Sequence, residues 1–228
     1  MAFLLAIEGA DGAGKATASA ATVEALIARG LKATVVSFPR YADTVGGHAL
    51  GDFLAGRLPV APSPHAAAVL YALDRFESRG HLDEVAAAHD VVVFDRYIAS
   101  NIVYQAAKVV ADEAAAMMAW IVALETGQFG LPLPDLSVYL DTPLAVARGR
   151  IAQKGKRSYT DQTFDANEAD DALQVRVRDG YAALAAGTLL GRWRTVSTVE
   201  GTVSRRPADI ALDLLGAVLP LLGARTPA

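Results

Sequence analysis

The segment Gly9-Ala10-Asp11-Gly12-Ala13-Gly14-Lys15 stands between the apolar run Phe3–Ile7 and an alanine-rich stretch of helix formers. A strand, a glycine loop and a helix in that order form a P-loop. The spacing of two glycines and a lysine lets backbone N–H groups curl round an anion at a helix N-terminus, where unpaired amides and the helix dipole both favour negative charge. Lys15 adds a point charge for the outer phosphates of a nucleotide. The residues placed to hold it are Gly9, Ala10, Asp11, Gly12, Ala13, Gly14, Lys15, Ala16 and Thr17. One departure stands out. The usual pattern has Ser or Thr after the lysine, with its hydroxyl on Mg²⁺. Here Ala16 takes that place, and Thr17 is rotated from it by about 100° on a helix.

The strand signals are continuous apolar runs, as expected of strands covered on both faces: Phe3–Ile7, 34–36, 91–94 and Leu136–Leu140. Helical stretches separate them at Lys15–Arg29, His65–Arg79, Ile98–Lys108 and Glu113–Leu124. A fifth strand is expected near Trp193–Thr198 and a last helix near Pro207–Leu222. Alternating β and α elements predict an α/β fold: a parallel sheet of five strands flanked by helices on both faces. The 228 residues suit one domain over 1–228. The Gly- and Pro-rich stretch 39–64 reads as an irregular helix pair lining a cleft, and the polar, basic segment at about 150–164 as a short lid.

Composition excludes several chemistries. The chain has no cysteine, so thiolate catalysis, disulfides and Cys-ligated zinc are ruled out, and a reducing cytoplasm is the expected setting. A net charge of −4 argues against a nucleic-acid footprint. No basic region precedes the N-terminal apolar run, and the apolar stretch at 210–223 is interrupted by Asp213, so neither a signal peptide nor a membrane span is expected.

In α/β sheets ligands collect beyond the carboxyl ends of the strands, and polar residues follow each strand here. Phe38-Pro39-Arg40-Tyr41 follows the second and Asp95-Arg96-Tyr97 the third. Asp95 reads as a carboxylate for Mg²⁺ or its water shell, with a helix cap or a structural ion pair as the plain alternative. Arg96 suits bidentate phosphate binding and is also compatible with an ion pair to Asp95. Ser100, Asn101 and Tyr104 share a helical face, and Tyr71 and Arg75 sit one turn apart. An aromatic beside a guanidinium suits a flat base with carbonyl acceptors; an aromatic at helical spacing is also what a core requires. Arg148, Arg150, Lys154, Lys156 and Arg157 supply cations in and before the lid.

Together these segments resemble thymidylate kinase, with Leu133-Pro134-Asp135 as a further match and the run from Asp95 resembling actinobacterial members. The resemblance implies a P-loop NTPase of the nucleoside monophosphate kinase type. It implies transfer of the γ-phosphoryl of ATP to dTMP with Mg²⁺ as cofactor, and a homodimer. It places Tyr71 on the thymine face, Arg75 at O4, Asn101 at the base, Tyr104 near the sugar, and Arg96 and Tyr41 at the dTMP phosphate. Phe38, Pro39 and Ser100 belong to the same acceptor site. Asp11 would contact the acceptor and a Mg²⁺ ion, with Glu168 as that ion's second, water-mediated partner. Lys15, Asp95 and Arg96 are the expected catalytic groups. Because neither Gly12 nor Ala16 is the arginine some members carry in the loop, the remaining catalytic cation is sought in the lid, at Arg150 or Arg157. Two rival readings are a kinase acting on a hydroxyl, with Asp11 or Asp95 as base, and a P-loop switch ATPase.

Overall fold

The computed structural model describes residues 1–152, 167 and 170–224. Five strands form one parallel sheet: β1 (Phe3–Glu8), β2 (Ala33–Ser37), β3 (Val91–Asp95), β4 (Leu136–Asp141) and β5 (Trp193–Ser197), in the order β2-β3-β1-β4-β5. The expected strands are all present, most of them extended by a residue. The polar residues at their carboxyl ends fall in register, with Ile7 and Ser37 both opposite Asp95.

Alternation along each strand sorts its side chains between two cores. Leu5, Ile7, Val93 and Val138 pack beneath α1 (Lys15–Ile27) and the last helix, where Leu26, Leu214 and Val218 meet them. Ala6, Phe94 and Tyr139 face the opposite layer, built on α5 (Ile98–Ala106) and the helix at Asp171–Ala186. Complete burial of side chains such as Leu5 and Ile7 contributes about 1.5–3 kcal/mol each.

The remaining helices are α2 (Val45–Leu54), α3 (Pro64–Glu77), α4 (Arg79–Ala88), α6 (Ala111–Val122), α7 (Leu144–Ala152), α8 (Asp171–Ala186) and α9 (Pro207–Gly223). A π-helical segment, Ala123–Gln128, continues α6. Residues 39–64 hold one helix, α2, rather than a pair. Gly46 and Gly47 let it lie against α3 and the Arg40 turn: a Cβ on Gly46 would meet the Asp74 nitrogen at 2.5 Å, and one on Gly47 the Arg40 carbonyl at 2.2 Å. Four elements lack a sequence signal. Helix α4 buries only Leu82, so its surface is too polar to show a stripe. Helix α7 has a weak apolar pattern, and β6 (Val199–Glu200) and β7 (Val203–Ser204) form a two-residue-long hairpin.

Among the described residues no helix is long and apolar enough to cross a membrane. Helix α5 is core, with its first eight residues buried. Helix α6 buries Met117 and Ile121 and leaves Trp120 partly exposed.

Candidate active site

Strand β1 ends on Glu8, and the chain then turns through the glycine loop. Gly9, Gly12 and Gly14 have φ of 153°, 74° and 90°, a region where a side chain is strained. Space makes a second demand at Gly12, where a Cβ would stand 2.2 Å from the Ala147 carbonyl. Gly14 caps α1 in the left-handed conformation with no side-chain cap, so the first amides of α1 remain available to an anion. Ala16 and Thr17 lie exposed on the first turn.

Lys15 is buried and folds back over the loop, donating from Nζ to the carbonyls of Gly9 (3.0 Å) and Ala10 (2.8 Å). Burial pulls its pKa down to about 7, with Arg96 adding to the effect against the attraction of Asp11, Asp95 and Glu8. In the free protein at pH 8 the amine is therefore mostly neutral, and polyphosphate oxygens beside it would favour the ammonium. Nucleotide binding is expected to take up close to one proton at pH 8 and far fewer at pH 6, where Lys15 is already charged. Calorimetry of ATP binding in buffers of different ionisation enthalpy measures this directly; heats independent of the buffer at pH 8 would contradict it.

Asp11 is the hub of the loop. Arg96 forms an ion pair with Oδ1, while Tyr104 (2.7 Å) and Gln174 Nε2 (2.8 Å) donate to Oδ2. The Gln174 side chain also accepts from the Asp11 main-chain N–H at 3.2 Å. Burial alone would raise the Asp11 pKa, but Arg96, Lys15 and the two hydrogen bonds hold it down at about 2. Arg96 thus pairs with Asp11, not with its neighbour Asp95. Its backbone is the cause: φ of 67° sends the side chain back across the loop, where Nη1 lies 3.4 Å from the Gly9 carbonyl and 3.3 Å from Ser100 Oγ. Asp95 neither caps α5, whose N-cap is Tyr97, nor forms an ion pair among the described residues. Its carboxylate is half-buried at the end of β3.

Beneath Arg96, Glu8 is completely buried. It accepts from the Tyr97 N–H (2.8 Å), Ser100 Oγ (2.7 Å) and the Tyr181 hydroxyl (3.0 Å). Burial raises its pKa against these bonds. Ser100 therefore lies inside this network and reaches the loop through Arg96.

Asn101, between Ser100 and Tyr104 on α5, belongs to a second cluster. Arg75 is 1% exposed, and its guanidinium is held by Glu125 through Nε (2.5 Å) and Nη2 (2.6 Å). Asn101 Nδ2 donates to the same Glu125 Oε1 at 2.8 Å and to the Ala68 carbonyl at 3.0 Å. Phe38 lies under Arg75, its ring centre 6.0 Å from the guanidinium carbon, and packs tilted against the stacked rings of Phe94 and Tyr97. Tyr71 is half-buried on α3, and Pro39 and Tyr41 line a surface cavity of about 380 Å³ with Arg40. Helix α5 thus joins both clusters: Tyr104 reaches the loop, and Asn101 reaches Arg75 through Glu125.

Arg150 is drawn to the P-loop backbone. Its Nη1 donates to the Ala13 carbonyl at 3.1 Å, and Nη2 reaches Ser204 of β7 at 3.2 Å. Arg157, Glu168 and most of the expected lid lie outside the described residues. Among the described residues no group of three acidic or histidine side chains stands ready to hold a metal.

Glu8, Glu125, Gln174 and Tyr181 were not anticipated from the residue pattern. Glu8 had a signal, an acid inside a strand otherwise fit for burial on both faces. So did Glu125, which falls in phase with the buried stripe Met117, Ile121 and Leu124. Gln174 and Tyr181 had none, because their contacts with Asp11 and Glu8 are purely tertiary.

A parallel sheet of order 2-3-1-4-5, with an anion-binding loop on its central strand and a cationic cluster beside it, is the P-loop fold of the nucleoside monophosphate kinase type. A family model described as thymidylate kinase matches residues 7–198. The thymidylate kinase of Mycobacterium tuberculosis (strain H37Rv) is 37% identical over 194 residues, covering 85% of this chain and 90% of that protein. The thymidylate kinase of Clavibacter sepedonicus is 36% identical over 184 residues, 80% and 81% of the two chains. The solved thymidylate kinase of Candida albicans superposes with a TM-score of 0.70 at 21% identity, over 96% of this chain and 92% of that one. The chain belongs to the thymidylate kinase family.

Proposed function

We propose that this protein transfers the γ-phosphoryl group of ATP to dTMP, giving ADP and dTDP. The observation that carries the reading is that neighbouring residues of α5 serve both clusters: Tyr104 bonds Asp11 of the anion-binding loop, and Asn101 joins a fixed guanidinium–amide pair through Glu125. Two clusters joined in this way suit an acceptor with a phosphate at one end and a base bearing carbonyl acceptors at the other.

In this reading the amides of residues 9–17 and Lys15 hold the phosphates of ATP. Arg96 exchanges Asp11 for the dTMP phosphate, with Tyr41 and Ser100 beside it. Tyr71, Phe38 and Pro39 line the thymine site, Arg75 and Asn101 read its edge, and Tyr104 lies by the sugar. The attacking phosphate oxygen is already anionic near neutral pH, so no general base is required. The barrier lies in bringing two polyanions together, and positioned cations lower it. Arg150, at the Ala13 carbonyl, and Arg157 supply lid cations to the phosphoryl group in flight.

Magnesium fits these residues. The Asp95 carboxylate makes no hydrogen bond or ion pair among the described residues, yet lies close enough to Lys15 to raise its pKa. A hard oxygen so placed suits a hydrated Mg²⁺ that is held mainly by phosphates. Asp95 would hold the ion on the donor side, and Asp11 with Glu168 on the acceptor side. When bound, it supplies neutralisation of phosphate charge. The reading extends to a homodimer, supported by exposed apolar side chains at Val45, Val69 and Trp120 on the adjoining helices α2, α3 and α6. It also extends to a cytoplasmic setting, which a cysteine-free chain suits.

The test is ADP release with Mg²⁺ and ATP, comparing dTMP, thymidine and no acceptor. Turnover with dTMP at least about a hundredfold above that with thymidine is expected, because the site pairs buried polar groups with the acceptor. Preference for thymidine would favour a hydroxyl-directed kinase, and acceptor-independent hydrolysis a switch ATPase.

A further inference from the structure

We infer that Glu125 is the positioning residue that makes the acceptor site select bases by the polarity of their edge; this rests on the dTMP reading above. A single carboxylate oxygen, Oε1, accepts from both Arg75 Nη2 at 2.6 Å and Asn101 Nδ2 at 2.8 Å. Both hydrogens of the Asn101 amide are committed, one to Glu125 and one to the Ala68 carbonyl. Rotating that amide by half a turn would set its oxygen against two acceptors. Its orientation is therefore fixed, with Oδ1 as the atom left over. Oδ1 is buried and has no partner among the described residues. A buried acceptor without a donor is costly and calls for an explanation.

Glu125 thus sets two neighbouring groups at once. Arg75 can only donate, and Asn101 can offer only an acceptor. The edge of thymine or uracil carries the complement, an acceptor at O4 beside a donor at N3–H. Cytosine carries the reverse, a donor at its 4-amino group beside an acceptor at N3. Against this pair a cytosine nucleotide would face donor with donor and acceptor with acceptor. The polarity comes from Glu125, which touches neither ring atom.

The pair is also rigid. Glu125 is 0% exposed, and the π-helical segment carrying it is closed by the Phe129 N–H to Leu124 carbonyl bond at 2.9 Å. Such segments recur at functional sites.

The test compares kcat/KM for dTMP and dCMP in the wild type, Glu125→Gln and Glu125→Asp. Glutamine keeps the size, but its amide can donate, which releases Asn101 to turn and loosens Arg75. The dTMP-over-dCMP preference is expected to fall by about tenfold or more in Glu125→Gln, the range a polar readout spans. KM for ATP should stay within about twofold. Glu125→Asp keeps the charge and gives an intermediate preference, and it carries the test alone if Glu125→Gln does not fold. A preference unchanged in the folded variants, with both acceptors losing kcat/KM equally, would reduce Glu125 to support of the fold and overturn the proposal. A wild type without preference for dTMP would instead overturn the acceptor reading beneath it.

Discussion

Lys15→Ala is expected to lower kcat with Mg²⁺, ATP and dTMP by about a thousandfold or more, which is the order of loss when one positioned donor to a developing oxyanion is removed and a full positive charge goes with it. The structure explains why the loss should be catalytic and not structural. Lys15 spends its hydrogen bonds in the free protein on two carbonyls of its own loop, Gly9 and Ala10. Both carbonyls belong to the loop itself, so truncation removes no hydrogen bond from Lys15 to another element. Burial already depresses the Lys15 pKa to about 7, so the charged form is held at a cost that alanine removes. Thermal stability of the free variant should thus stay within a few degrees of wild type, and ATP affinity should fall far less than kcat. Steady-state kinetics with a melting curve checks this. Turnover within tenfold of wild type would remove Lys15 from the transition state, and a collapse in Tm would make it a structural residue.

Arg75→Ala is expected to strike stability and acceptor use together. Its guanidinium is 1% exposed against a fully buried Glu125. Removing one member of a buried pair leaves the other charge without compensation and costs about 3–5 kcal/mol. For a domain of this size that corresponds to a fall in Tm of about 6–20 °C. In the folded fraction, KM for dTMP should rise by tenfold or more while KM for ATP holds, because the Arg75 guanidinium is bonded to Glu125 and not to the P-loop. Melting curves and kinetics below the variant's Tm separate the two effects. Equal losses for both nucleotides would count against a base-reading role. The double variant Arg75→Ala with Glu125→Ala should recover part of the stability, since no charge is then left buried, and none of the dTMP affinity.

Much of the architecture was legible in the chain. Strands covered on both faces must be apolar throughout, so Phe3–Ile7, 91–94 and Leu136–Leu140 announced themselves. The glycine loop was equally plain, because its left-handed turns and its close approach to Ala147 exclude other residues at Gly12. Elements that rely on contacts more than on pattern were hidden. Helix α4 shows mostly polar residues to solvent, and the β6–β7 hairpin is too short to display a period.

The site divides in the same way. Asp11, Lys15, Arg96, Asn101 and Tyr104 could be named from their places after strands and along one helix face. Their pairings could not. Arg96 beside Asp95 looks like a local ion pair, yet a positive φ turns it onto Asp11, eighty-five positions away in the chain. Arg75 read as a group facing a ligand, and it is held from behind by Glu125, fifty positions on. Sequence by itself determined which residue types follow which strands, because backbone geometry and burial act over a few residues. Only the tertiary structure decided which charge meets which, because a buried ion takes its partner from whichever helix the packed sheet brings within hydrogen-bond reach.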